Sequence, residues 1–397
     1  SEIYDKLSEH LTAAGQTVQA AAIMARRSPD GLRRHALLSL KRAKVELTPG
    51  MSKQLGELTN AARQAKTQLE KERAAHNIAE FVKTNTPDSV WNKGINFWRA
   101  GLLTSPVTTG GNLLANSGEA AIRKAFINPV STAADIAMSK FTGKRTMTLA
   151  KPGSATKGFV EGAKTLPEYM KTGFQPGDAN VKAKYENSGT INYGNGALGK
   201  VLGGYVNTTY RAMGVADAPY RLSAEREALT SIAKAEAINK GLKGAKQSQF
   251  VKEFVANPPK EAAQRAANEG NRATFQNDTL LNDIASGAKS KLDDKSPAAK
   301  AVADFVMPFV RTPSAIATRL IERTPIGVGK EIVNQIVNVR SGKAFDQRAM
   351  SQAIGNGTFG MAAIGAGLAL ANSGLLTFGI PQDKKERAIW EAEGKQP

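Results

Sequence analysis

Cysteine is absent from the 397 residues, which removes disulfide frameworks, thiolate zinc sites and thiol nucleophiles together. Histidine is scarce: His10, His35 and His76 all lie towards the N-terminus, at spacings of 25 and 41 that outline no metal site. Aromatic residues make up 6% of the chain while alanine and glycine abound. A core built from such small side chains favours close helix packing over a Val/Ile/Thr-rich sheet. Catalytic signatures are missing too: there is no G-x-S-x-G, no H-E-x-x-H and no Walker A. The glycine-rich NYGNGALGK follows no apolar strand, which leaves little for a phosphate cradle. Glu119, Glu161, Glu186 and Glu225 stand in helical or loop contexts without the entourage of a sugar-cleaving cleft. We therefore expect no enzyme and no cofactor, with catalytic, cofactor-binding and metal residues all absent. The opening SEIYDKLSEH has no basic stretch leading into an apolar one and no initiator Met, and reads as a start inside a longer chain.

What is abundant is positive charge. Lys and Arg number 54 against 35 Asp and Glu, a formal net charge of +19. A polyanion, either duplex DNA or anionic lipid, is the natural partner; the plainer reading is a solubilising surface. With 41% hydrophobic and 22% charged residues, the chain can bury a sizeable core.

Periodicity predicts a mainly α fold, an extended multi-helix assembly with long Gly/Pro-rich loops, in five blocks. Residues 1–88 read as a basic helical arm punctuated by Pro29, Pro49 and Pro87. Within it Leu55, Leu58, Ala62, Ala65 and Leu69 follow a heptad rhythm, but Glu72 and His76 take the next seam positions, so packing within the chain is expected rather than a long coiled coil. Residues 89–141 form a less charged helical nucleus, broken between Ser105 and Gly111. Residues 142–196 carry KPGSATKG, TGFQPGDAN and NYGNGALG and read as a linker. Residues 197–296 read as a helical domain, with helices from about Leu198 to Asn239 and from Gln247 to Ala288, interrupted at Asn257, Pro258 and Pro259. Residues 297–397 hold Pro-punctuated helices and an apolar Gly/Ala-rich hairpin or membrane segment.

Three features carry physical content. In MARRSPDGLRRHALLSLKRAK, a helix starting near Leu32 puts Leu32, Ala36, Leu40, Ala43 and Leu47 on one side. Arg33, Arg34, Lys41 and Lys44 lie around the other and, with Arg26, Arg27 and Arg42, offer either a cationic ridge to phosphates or a solvated face. Secondly, Ala349 to Gln382 contains no charged residue. About 20 apolar residues span a bilayer as a helix, and Ile354, Phe359, Met361, Ile364, Leu368, Leu370, Leu375, Leu376, Phe378 and Ile380 are the membrane-facing candidates. Asn356, Asn372, Ser373 and the glycines lower its hydrophobicity and favour a buried hairpin, and a segment buried in one state and inserted in another satisfies both. Thirdly, Pro313 and Pro325 frame a short helix, Ser314 to Arg323, whose Arg319 and Arg323 join the candidates for DNA contact.

Five phrases in order carry a resemblance: NFWRAGLLTSPVTTGGNLLAN, YRAMGVADAPYRLSAEREAL, ATFQNDTL, FVMPFVRTPSAIATRLIERTP, and the stretch ending LLTFGIPQDKKERAIWEAEGKQP. From Asn96 to Pro397 the chain resembles the large polyvalent or internal virion proteins of tailed phages, several of which are ejection proteins of short-tailed phages. Residues 1–88 lie outside the resemblance. It implies storage inside the capsid near the portal, release with the genome, and help in building a conduit for DNA across the host envelope. The implied partners are the double-stranded phage genome, bound without sequence specificity, the portal, tail and other ejection proteins, the host inner membrane reached from the periplasm, and further copies of the chain. Some relatives carry lysozyme-like or RNA polymerase domains elsewhere, so an accessory segment of a virion-packaged polymerase and a passive capsid scaffold are the alternatives.

Overall fold

The computed structural model describes residues 28–174, 191–194, 196–277, the positions 279, 281, 283, 284 and 287, and residues 311–373 and 383–392. The fold is mainly α, with no strand among the described residues. The chain forms two compact units: the first takes residues 1–115, 159–222 and 284–312, the second residues 116–158, 223–283 and 313–397. The blocks 89–141, 142–196, 197–296 and 297–397 each contribute to both units, so the division read from composition does not coincide with the spatial one.

The first unit begins with α1 (Pro29–Arg42), α2 (Pro49–Gln64) and α3 (Gln68–Asn85). Each starts where a hydroxyl satisfies an orphan amide of the first turn. Ser28 accepts from Gly31 N at 3.0 Å and Thr48 from Met51 N at 3.2 Å, while Thr67 and Glu70 form a reciprocal capping box. Proline opens α1 and α2, where its missing N–H costs nothing. The three pack around Ala36, Leu40, Leu55, Ala62, Ala74, Ile78 and Phe81. Burying a Leu or Phe of this kind stabilises by about 1.5–3 kcal/mol. The heptad positions Leu55 and Ala62 thus do pack within the chain.

Next come α4 (Val90–Leu103) and α5 (Pro106–Ile122), of which the residues from Asn116 onward belong to the second unit. The expected break from Ser105 to Gly111 shrinks to Thr104 and Ser105, because Pro106 begins a helix instead of interrupting one. A second correction concerns 142–196: Ser154–Thr172 forms α7, a regular helix inside the expected linker. Its Gly162 sits so close to Pro219 that an added Cβ would lie 2.6 Å from the Pro219 Cα. The glycine that reads as loop chemistry is here a helix-packing residue. Residues 175–190 and 195 of that linker lie outside the described residues. A second apolar cluster joins Ala100, Leu103, Ile191, Val206, Tyr210 and Met213, and the Tyr210 hydroxyl donates to Asn96 Oδ1 at 2.9 Å.

The second unit contains α6 (Asn128–Thr142), entered through a π-helical turn at Arg123–Ile127, together with the end of α8 (Ala197–Asn239), α9 (Gly244–Ala256) and α10 (Lys260–Ala273). These give the expected 197–239 helix and the expected interruption at 257–259. Ala228, Leu229, Ala262 and Ala266, and beside them Ala233, Ala237 and Val251, make an ordinary small-residue core. The unit closes with α11 (Arg311–Glu322), α12 (Pro325–Arg340), α13 (Gln347–Asn372) and α14 (Lys384–Ala392).

Candidate functional site: an ionic interior beneath apolar helices

The last helices of the second unit reverse the usual distribution of polarity. Among the described residues 311–372, Ala315 is the sole buried apolar side chain, whereas Arg319, Gln335, Gln347, Arg348, Ser351 and Asn356 are all buried. The same inversion runs through α6, whose inner face is Ser131, Thr132 and Asp135 while Ile136 and Phe141 are exposed. Exposed apolar residues are common singly; buried polar residues facing a helix seam are the informative observation.

Glu119 on α5 is 4% exposed and receives Arg323, with Arg319 Nε 3.8 Å from its other oxygen. Arg319 also reaches Glu322 at 3.5 Å and donates to the Arg272 carbonyl at 2.5 Å. Glu322 pairs with Arg272 at 2.9 Å. Glu269, on α10 with Arg272, binds Arg123 at 2.7 Å and accepts from Gln352 of α13 at 2.6 Å. Burial opposes ionisation of Glu269, but the guanidiniums of Arg123, Arg272 and Arg348 together outweigh it and hold the carboxyl well below the usual carboxylate range. Burial also works against the charge of Arg319 and, with Arg272 beside it, pushes its pKa down to about 10, so it stays a cation at neutral pH.

Asp135, fully buried, is the second node. It accepts from Arg145 Nε at 2.7 Å, Thr146 N at 3.1 Å, Thr146 Oγ1 at 2.5 Å and Gln347 Nε2 at 2.8 Å. Against the cost of burial, the Thr146, Arg145 and Gln347 hydrogen bonds keep its pKa lowered. Gln347 is the first residue of α13, so this node ties the helix start to α6. A cavity of about 420 Å³ opens among α10–α13, with Arg272, Thr318, Glu322, Glu331, Gln352 and Asn356 in its wall.

Glycine lets α13 dock. An added Cβ at Gly355 would strike the Ser131 hydroxyl and lie 2.8 Å from the Ile127 carbonyl oxygen. One at Gly357 would strike Val328, and one at Gly360 the Arg323 carbonyl. Phe359 closes this half, edge-on to Phe126 at 5.6 Å and beneath the Arg323 guanidinium at 5.2 Å. Beyond Gly360 the docking stops. Gly365 and Gly367 have open space around them, and Met361, Ile364, Leu368 and Leu370 are 53%, 53%, 54% and 42% exposed. The helix is long and apolar enough to cross a membrane, with 22% of its most apolar stretch buried.

The structure distributes the sequence candidates unevenly. Arg33, Arg34, Lys41, Arg42 and Lys44 are exposed at α1, which starts at Pro29 and buries Ala36 and Leu40. Arg26 and Arg27 lie outside the described residues, as do Leu375, Leu376, Phe378 and Ile380. Arg319 and Arg323, expected to offer charge to DNA, instead face inward to Glu119 and Glu322, because burial demands that their charge be paired. Ile354 and Phe359 belong to the docked half of α13, while Met361, Ile364, Leu368 and Leu370 belong to its free half. His35 is exposed, and His76 donates to the Thr172 carbonyl at 2.9 Å beside the Phe174 ring. Sequence reasoning missed the ionic interior, whose charges come from distant segments, and the apolar face of α12. Comparison with known proteins gives no match to a family model, to a curated protein or to a solved structure.

Proposed function

We propose that this chain is a non-enzymatic helical protein of a tailed-phage virion interior, released with the genome and helping to carry DNA across the host envelope. One observation carries the reading: α13 is held by polar and glycine contacts along its first half and presents a bare apolar helix along its second. A helix that is apolar all round is a core helix or a membrane helix, and water is a poor solvent for it. The ejection reading supplies the surroundings such a helix needs once delivered, and the exposed cations of α1 suit a DNA backbone bound without sequence specificity. Further copies of the chain, and the portal and tail proteins, are the assembly partners this reading calls for.

Co-sedimentation of the protein with DNA and with vesicles at low and high salt tests the reading, comparing the natural sequence with an Ile364→Glu/Leu368→Glu variant. Salt-resistant vesicle binding abolished in the variant, together with salt-sensitive DNA binding retained by it, is the expected result. Binding to neither would overturn the delivery role and leave a passive scaffold within the capsid.

A further inference from the structure

We infer that α12 is a second membrane contact, an amphipathic helix lying in the surface of an anionic bilayer. This rests on the proposed membrane contact of α13 but on a different element and different residues. The inner side of α12 is mostly polar or small: Gly327 and Gln335 are buried and Glu331 and Asn338 half-buried, with the half-buried Val328 against Gly357 of α13. Gln335 donates to Glu331 Oε1 at 2.5 Å and accepts from Asp346 N at 2.8 Å, so these groups are satisfied within the unit. The outer side carries Ile326, Ile332, Val333, Ile336, Val337 and Val339, exposed by 73%, 45%, 58%, 47%, 55% and 55%.

At roughly 100° per residue these six side chains cover an arc of about 160°. A coiled-coil seam is narrower, so the breadth fits immersion in an apolar medium better than contact with one helix. Charge selects the lipid. Lys330 is exposed beside this arc, Arg340 within it at the C-terminal end and Lys343 just past the helix, and the acid of the helix, Glu331, is turned inward, so an anionic headgroup layer would meet cations alone. At 16 residues α12 is about 24 Å long, short of a span and suited to lying in the interface.

The absence of cysteine makes the test direct. Ile336→Cys and Leu368→Cys variants of the whole protein, each labelled with the environment-sensitive fluorophore NBD, are mixed with vesicles of phosphatidylcholine alone or with phosphatidylglycerol. A blue shift at position 336 that appears only with phosphatidylglycerol supports the inference. Lys330→Gln and Lys343→Gln should then each weaken binding about five-fold, the equivalent of ~1 kcal/mol per cation near an anionic surface. A shift at 368 without one at 336 overturns the role of α12 and leaves that of α13; no shift at either position overturns both. A probe at 336 already blue-shifted without vesicles also overturns it. The face is then covered by a segment of the same chain, or by a second copy if the shift grows with protein concentration.

Discussion

Replacing Gly360 by alanine should loosen the second unit, whereas the same replacement five residues later should tighten it. The added methyl at 360 would overlap the Arg323 carbonyl, a backbone atom that cannot rotate away. Overpacking of this kind costs typically 1–3 kcal/mol, and the rigid obstacle places this case at the upper end. Alanine returns about 0.5–1 kcal/mol of helix propensity, which leaves a net loss of roughly 2 kcal/mol, or about thirty-fold in the opening equilibrium. At Gly365 no atom lies within 4 Å, so only the gain survives. Amide hydrogen exchange across α6 and α13 reads both effects locally, which is preferable to a single melting curve in a protein of two units. Equal responses at the two positions would refute the division of α13 into a docked half and a free half.

Glu119→Ala strips Arg319 and Arg323 of their shared partner inside the unit and should cost about 3–5 kcal/mol, measurable as weakened exchange protection in α11. Glu119→Gln, which keeps an acceptor, should cost less. Glu269 and Asp135 have lowered pKa values in the folded protein, so their ionised forms add stability that is complete above the unfolded carboxylate values near 4. That contribution drains away as pH falls from there towards the depressed folded values. Circular-dichroism melts should show a steep loss below about pH 4.5, flattened in Glu269→Gln; an unchanged slope would count against the ionic core. Charge reversal at Arg33, Arg34 and Lys41, all exposed, should weaken DNA binding and shallow its salt dependence by about 0.9 for each phosphate no longer neutralised, read from filter binding over a salt series.

The helical skeleton was legible because its signals are local. The helix over 197–239, Pro29 and Pro49 as boundaries between helices and the break at Pro258–Pro259 are read from the chain alone. Glycine misled in both directions. In 142–196 it reads as loop, yet Gly162 lies within a helix against Pro219, and in α13 three glycines are the docking surface. A glycine's meaning depends on what stands opposite it, which is tertiary information. The amphipathicity of α12 was also present in the sequence, but periodicity shows two faces without showing which turns inward. Only the positions of Glu331 and Gln335 settle that the polar face does. Glu119, Glu269 and Arg323 were illegible as a network because each looks like an ordinary surface charge until the fold brings them together.

The inverted polarity of α11–α13 underlies the proposed delivery role, and nitroxide accessibility at position 368 addresses it most directly. A spin label on Leu368→Cys, in the presence of anionic vesicles, should collide more with oxygen, which partitions into lipid, than with a water-soluble nickel chelate. The preference should reverse for a label at Lys343→Cys, on an exposed charged residue just past the end of α12. If position 368 stays as open to the chelate with vesicles as without them, the free half of α13 does not enter a bilayer, and the apolar exterior of this unit must have another partner.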